Sequence, residues 1–280
     1  MGKTPGVEEC RDLGGSGLTD INALRPFIHL RYVDVSSNYL HDISPLANLS
    51  HLLWLCADEN SLTSAYVEEL PFLQVMSLAK NRIRDTEGIS HPLLESLNLT
   101  GNQIREVSGL DSHKLTRLQT IELRGNMLET TAGINIASLK NLYLAGNNIN
   151  KIQGLEGLVN LQTLHLRDNH LETLRGFSAT MASLQYLNIR GNLIVKIQEL
   201  KHLQCLPALR ALVITENPCT EEDSYRLETL ILLRKLERLD KDTFNADDRY
   251  EADEVQRQRQ NDEEEGEAND DRSSGMESVS

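Results

Sequence analysis

The chain has 280 residues, 39% of them hydrophobic but only 4% aromatic, so it can bury a sizeable core and that core must be aliphatic. Its formal net charge of −14 concentrates beyond residue 240, where 14 Asp and Glu face 5 Lys and Arg, leaving −5 on residues 1–240. This acidity excludes a nucleic-acid backbone as the main partner, because the chain offers no basic surface to displace phosphate counterions.

In chain order, residues 1–17, "MGKTPGVEECRDLGGSG", read as a non-repeat segment expected to be disordered. They carry no apolar run of the secretory type, and Gly6 stands where a myristoylation signal needs Ser or Thr. No stretch approaches the roughly 18 apolar residues of a membrane span. Cys10, Cys56, Cys205 and Cys219 form no CxxC, which fits a reducing compartment. The sequons at Asn48 and Asn98 are expected to be chance matches.

From Leu18 to residue 216 the pattern LxxLxLxxNxL recurs. It reads "LRYVDVSSNYL" from Leu30, "LQTLHLRDNHL" from Leu161 and "LRALVITENPC" from Leu209, with six copies between the first and last of these besides the second. Its asparagines are Asn38, Asn60, Asn81, Asn102, Asn126, Asn147, Asn169, Asn192 and Asn217, spaced by 22, 21, 21, 24, 21, 22, 23 and 25 residues. A period of roughly 20–29 residues marks the leucine-rich repeat. In LxLxx the backbone is a short strand whose leucines point inward while the intervening residues face out. Where the strand ends, backbone groups are left without ladder partners, and an Asn amide both donates and accepts there.

The expected architecture is an α/β leucine-rich repeat horseshoe with a parallel concave sheet and short 3₁₀ or helical convex segments. About nine repeats and a partial first one fill residues 18–216, and the longer repeats after Asn102 and Asn192 are expected to bulge or carry an extra helical turn. Residues 217–243 read as a cap in which Tyr225, Leu230, Leu233, Leu236 and Leu239 cover the last repeat. Residues 244–280 read as a charged helix followed, from Asn261, by an acidic disordered tail.

Catalytic chemistry finds little purchase. His165, Asp168 and His170 lie close in sequence, yet the repeat register sends them to different places: His165 outward between Leu164 and Leu166, Asp168 to the strand end, His170 into the turn. There is no GxGxxG, P-loop, GxSxG or HExxH, and Gly101, Gly125, Gly146 and Gly191 sit before ladder asparagines as turn residues. No catalytic residue, cofactor site or metal site is expected. The concave face is the candidate site, through Tyr32 and Trp54 on adjacent strands and a band of Glu122, Arg124, Tyr143, His165, Arg167, Tyr186 and Arg190. The bland alternative is that these are ordinary solvent-facing residues; for Trp54, the one Trp of the chain, the functional reading is preferred.

Several segments go beyond the template: "HLRYVDVSSNYLHDISPLANLSHLLWL", "DTEGISHPLLESLNLTGNQI", "TIELRGN", "AGINIASLKNLYLAGN", "TLHLRDN", "GFSATMASLQYLNIRGN" and "LRALVITENPCTEEDSYR". Through them, over about residues 18–255, the chain resembles a family of leucine-rich repeat proteins of the axonemal radial spoke. The resemblance implies a structural protein of motile cilia and sperm flagella that holds spoke head and stalk proteins in place, without catalysis, metal, nucleic acid or membrane. The departure is at the front, where the family's long acidic leader and fuller first repeat are not matched by residues 1–17, implying an N-terminally divergent form. Solenoids of this same short-repeat class can bind a Ser/Thr phosphatase catalytic subunit, and that regulatory role is the alternative.

Overall fold

The computed structural model describes the backbone of residues 9–276 and the side chains of residues 9–262. Its strands are three residues long through most of the chain: β1 Cys10–Asp12, β2 Tyr32–Asp34, β3 Trp54–Cys56, β4 Val75–Ser77, β5 Ser96–Asn98, β6 Thr120–Glu122, β7 Asn141–Tyr143, β8 Thr163–His165, β9 Tyr186–Asn188 and β10 Ala211–Val213. β11 (Arg238–Leu239) continues the parallel stack and β12 (Asp242–Thr243) closes it antiparallel. Strand order in the sheet is chain order, so each strand pairs only with those of adjacent repeats, although on the convex side Lys114 reaches across one repeat to Glu69 at 3.2 Å. The central residue of each repeat strand, such as Leu142, Leu164 and Leu187, is fully buried while its flanking residues stay half-exposed on the concave face.

The nine ladder asparagines are all buried and share one hydrogen-bonding scheme. Asn169 is typical: Nδ2 donates to the carbonyls of Leu144 and Leu166, both at 3.0 Å, and Oδ1 accepts the Ile149 N–H at 3.0 Å. The Leu144 carbonyl also accepts from Asn147, and Leu166 from Asn192, so consecutive asparagines are joined through shared acceptors. Each rung therefore satisfies backbone groups in its own repeat and the one before it.

The turn into each rung is left-handed. The residue before the asparagine has φ between 53° and 69° in all nine repeats, from Ser37 to Glu216. Glycine fills four of these positions and a side chain with its steric cost fills the rest. A second kind of glycine lies on the convex side, where a Cβ on Gly133 would come within 1.9 Å of the Val107 carbonyl oxygen, whereas a Cβ on Gly125 would meet nothing closer than 3.7 Å. Gly125→Ala is therefore expected to cost about 1 kcal/mol, from φ alone, and Gly133→Ala more than about 3 kcal/mol, because backbone must also move. Urea melts of the two variants check the ranking; equal losses would contradict it.

Two expectations about the ends need correction. Residues 9–17 are not outside the repeats: β1 pairs with β2 in register, Cys10 against Tyr32 and Asp12 against Asp34, and Leu18 donates to Asn38 Oδ1 at 2.8 Å. The strand is hard to see in sequence because Arg11 occupies the inward position that Val33 holds in the next repeat, and its guanidinium lies 4.9 Å from the Phe27 ring centroid. Residues 1–8 fall outside the described part. At the other end, where disorder was expected from Asn261, α2 runs Ala246–Met276 as one helix. Its Glu, Arg, Gln and Ala favour helical backbone even without an apolar face. Residues 277–280 lie outside the described part.

The cap combines a 3₁₀ turn at Pro218–Thr220, α1 (Tyr225–Leu232) and β11, with Leu230, Leu233, Leu236 and Leu239 buried and Tyr225 partly so. Asp240, next to β11 and level with Val213, closes the last repeat: its Oδ1 accepts the N–H groups of Ile214 (2.8 Å) and Thr215 (3.0 Å), where earlier repeats use a strand carbonyl of the following turn, as Ile189 N–H uses Val213, and its φ is 55°. Of the two longer repeats, the one after Asn192 carries a 3₁₀ segment, Ile197–Leu203, while the one after Asn102 is accommodated by turns.

Candidate protein-docking face

Every residue singled out on the concave face comes from one rule, alternation along a strand, repeated at the ~4.8 Å spacing of neighbouring strands. Tyr32 stands directly beside Trp54 on β2 and β3; Tyr32 is 45% exposed and Trp54 half-buried. Around them Asp12, Asp34 and Asp58 face the same side. Asp34 Oδ1 accepts the Ser36 N–H (2.9 Å), and Asp58 Oδ1 accepts from Ser77 Oγ (2.6 Å) and the Ala79 N–H (2.7 Å). Among the described residues none of the three aspartates has a cation in ion-pair range. Burial, reinforced by the charges of Asp58 and Asp34, pushes the Cys56 thiol up to about 11, so it stays protonated and unreactive near neutrality.

The second group lies further along, on β6–β9. Tyr143, His165 and Tyr186 form a row, with ring centroids 4.9 Å and 5.2 Å apart, each one strand from the next. Arg124 closes one end, 5.1 Å from the Tyr143 centroid, and Arg238 the other, 5.8 Å from Tyr186. Three arginines leave the strand ends against carboxylates: Arg124 on Glu122, Arg167 Nε on Asp168 at 2.8 Å, and Arg190 Nε on Glu216 at 2.8 Å. Burial between the tyrosines, with the Arg124 charge beside it, holds the His165 imidazole below its ordinary range, against the opposing pull of Glu122. His165 is therefore neutral near pH 7.

His165, Asp168 and His170 do not come together. His165 lies in the aromatic row, Asp168 holds Arg167 in the left-handed turn, and His170 is exposed beyond Asn169. Among the described residues no three His, Cys, Asp or Glu side chains gather in a metal-holding group, and no helix is long and apolar enough to cross a membrane.

Sequence reasoning missed two features of this surface. Arg238 belongs to the same column as Tyr186 because the register runs on into the cap; "LERLD" from Leu236 repeats the strand half of the template without its Asn. On the flank, His29, His51 and Phe72 stack in a row with centroids 5.6 Å and 6.2 Å apart. Each immediately precedes the first leucine of its repeat, and that shared position was the available signal.

A leucine-rich repeat family model matches residues 117–267. Among solved structures, an internalin from Listeria monocytogenes superposes with a TM-score of 0.53 at 20% identity, over 82% of this chain and 79% of that one. The TLR13–ssRNA13 complex gives a TM-score of 0.64 at 21% identity, over 82% of this chain and 35% of that one. At such identities these structures share the fold. The human protein named leucine-rich repeat-containing protein 23 is 59% identical over 250 residues, 89% of this chain and 73% of its own length. Its Bos taurus counterpart is 57% identical over 238 residues, 85% of this chain and 70% of that one. With identity at this level across the repeats and into the cap, the chain belongs to the leucine-rich repeat-containing protein 23 family.

Proposed function

We propose that the chain is a non-enzymatic scaffold of the radial spoke in motile cilia and sperm flagella, where it holds spoke head and stalk proteins on its solenoid surface and supports bending. The observation that carries the docking role is the concave face: exposed Tyr32 beside Trp54, and an arginine-flanked aromatic row, on a sheet whose backbone is fixed by buried asparagines. A surface fixed before binding loses little conformational entropy on docking. The axonemal setting rests on the family resemblance. Its test is the location of the tagged protein in motile and non-motile ciliated cells, with mass spectrometry of what co-purifies. Spoke proteins in the motile sample support the reading; a Ser/Thr phosphatase catalytic subunit without spoke proteins overturns it.

The aromatic pair makes a separate prediction. Replacing Tyr32 and Trp54 together by Ala should weaken partner capture by about tenfold or more, with the melting temperature nearly unchanged, as for interface anchors. Parallel loss of binding and stability would make the pair structural.

A further inference from the structure

We propose that the band along β6–β11 receives an acidic, extended segment of a partner protein. The inference rests on the scaffold reading and specifies the chemistry of one of its partners. Arg124, Arg167 and Arg190 rise from the same repeat position on three different turns, with side chains 48%, 46% and 37% exposed. Each holds a carboxylate with only part of its five-donor fork, so each is fixed in place and still has N–H groups to offer. Lys140 and Arg238 are exposed, and among the described residues no carboxylate lies in ion-pair range of either. The Tyr143–His165–Tyr186 row, its rings tilted by 48° and 34° to one another and flanked by Arg124 and Arg238, leaves apolar ring surface suited to side chains that alternate with acidic ones along an extended strand.

Charge sorting over the rest of the face supports the same occupant. Around β1–β3 the outward positions carry Asp12, Asp34 and Asp58 with no cation in ion-pair range among the described residues, so an acidic segment is less favoured there than on the far half. Residues 1–240 carry −5 overall, so the rest of the solenoid offers an anionic partner no net attraction. The two halves together thus fix where such a segment lies. The acidic tail of the chain itself is the rival occupant.

The full chain is titrated into a fluorescein-labelled peptide of alternating Glu and Leu, with a Lys–Leu peptide of equal length as comparison, and binding is followed by anisotropy. The expected result is capture of the Glu–Leu peptide that weakens as salt rises, and little capture of the Lys–Leu peptide. Arg167→Gln with Arg238→Gln should lower affinity for the acidic peptide about tenfold with unchanged melting, whereas Asp34→Asn should not lower it. Equal binding of both peptides overturns the proposal, as does an arginine variant that binds like the parent. So does a chain that binds only after residues 263–280 are removed, because the tail is then the occupant. Spoke proteins that co-purify with a chain blind to the Glu–Leu peptide would sink this inference alone, and peptide capture without spoke proteins would sink the axonemal reading alone.

Discussion

Asn169→Ala should destabilise the protein by about 3 kcal/mol, while Asn141→Ala, on the concave surface one strand away, should cost no more than about 0.5 kcal/mol. The difference lies in what each amide holds. Asn141 Nδ2 has a single long bond, 3.3 Å, to Thr120 Oγ1 in a part-exposed setting. Asn169 Oδ1 is the side-chain acceptor that takes the buried Ile149 N–H, and Nδ2 reaches the Leu144 and Leu166 carbonyls. Those carbonyls keep the neighbouring rungs, Asn147 and Asn192, when Asn169 is truncated, so they lose one of two donors. The Ile149 N–H has no such reserve, and orphaning a buried donor costs about 1–3 kcal/mol, to which the lost donor bonds add about 1 kcal/mol each. Urea denaturation of the two variants decides it. Equal effects would mean that the ladder is redundant, with its work done by the sheet.

Acidification from pH 6.5 to 4 should remove about 3 kcal/mol of stability through one side chain, His91. It is fully buried at the edge of the aliphatic core, its Nδ1 accepts the Leu70 N–H at 3.1 Å, and its Nε2 has no partner among the described residues. Burial holds its pKa down at about 4, against 6.5 for an ordinary histidine, and the Glu69 charge offsets only part of that. Between those two pH values the unfolded chain binds the proton and the folded chain does not, so stability falls as pH falls through the window. At about 1.4 kcal/mol per pKa unit the loss is near 3 kcal/mol. His165, whose pKa is also lowered, adds in the same direction. His91→Gln keeps a polar group in the site but cannot titrate. The difference between parent and variant in urea melts at pH 7 and pH 4.5 should isolate the effect from carboxylates common to both; an identical pH dependence would contradict the assignment.

The parts of the fold legible in sequence are those set by local rules. Alternation in "LQTLHL" placed Leu164 inside and His165 outside, and the asparagine after each strand marked where the backbone runs out of partners. Residues whose role depends on a neighbouring repeat were harder to read. Thr86 Oγ1 donates to the Ser108 carbonyl at 2.5 Å and accepts the Ser108 N–H at 3.0 Å, and Thr131 repeats this with Gln153. This hydroxyl clasp joins residues 22 apart, and neither threonine differs locally from a loop residue. Asp240 escaped notice because it does in the cap, with a carboxylate, what a backbone carbonyl of the following strand does in the repeats. On the concave face, membership followed from register, but the pairing of each arginine with its carboxylate did not, since Glu216 lies 26 residues from Arg190.

Arg11, in the slot that an aliphatic side chain fills in the later repeats, has a mechanical consequence. In a one-dimensional stack, each turn is as firm as its own packing and that of the turns beside it. A guanidinium lying on Phe27 contributes less apolar burial to β1 than Val33 does to β2. Among the parallel repeat strands β1–β10, only β1 thus lacks an aliphatic centre, whereas Tyr32, Trp54, Tyr143, His165 and Tyr186 all stand on strands whose central residue is fully buried. Opening of the stack under load is therefore expected to begin at β1, before the strands that carry the aromatic row.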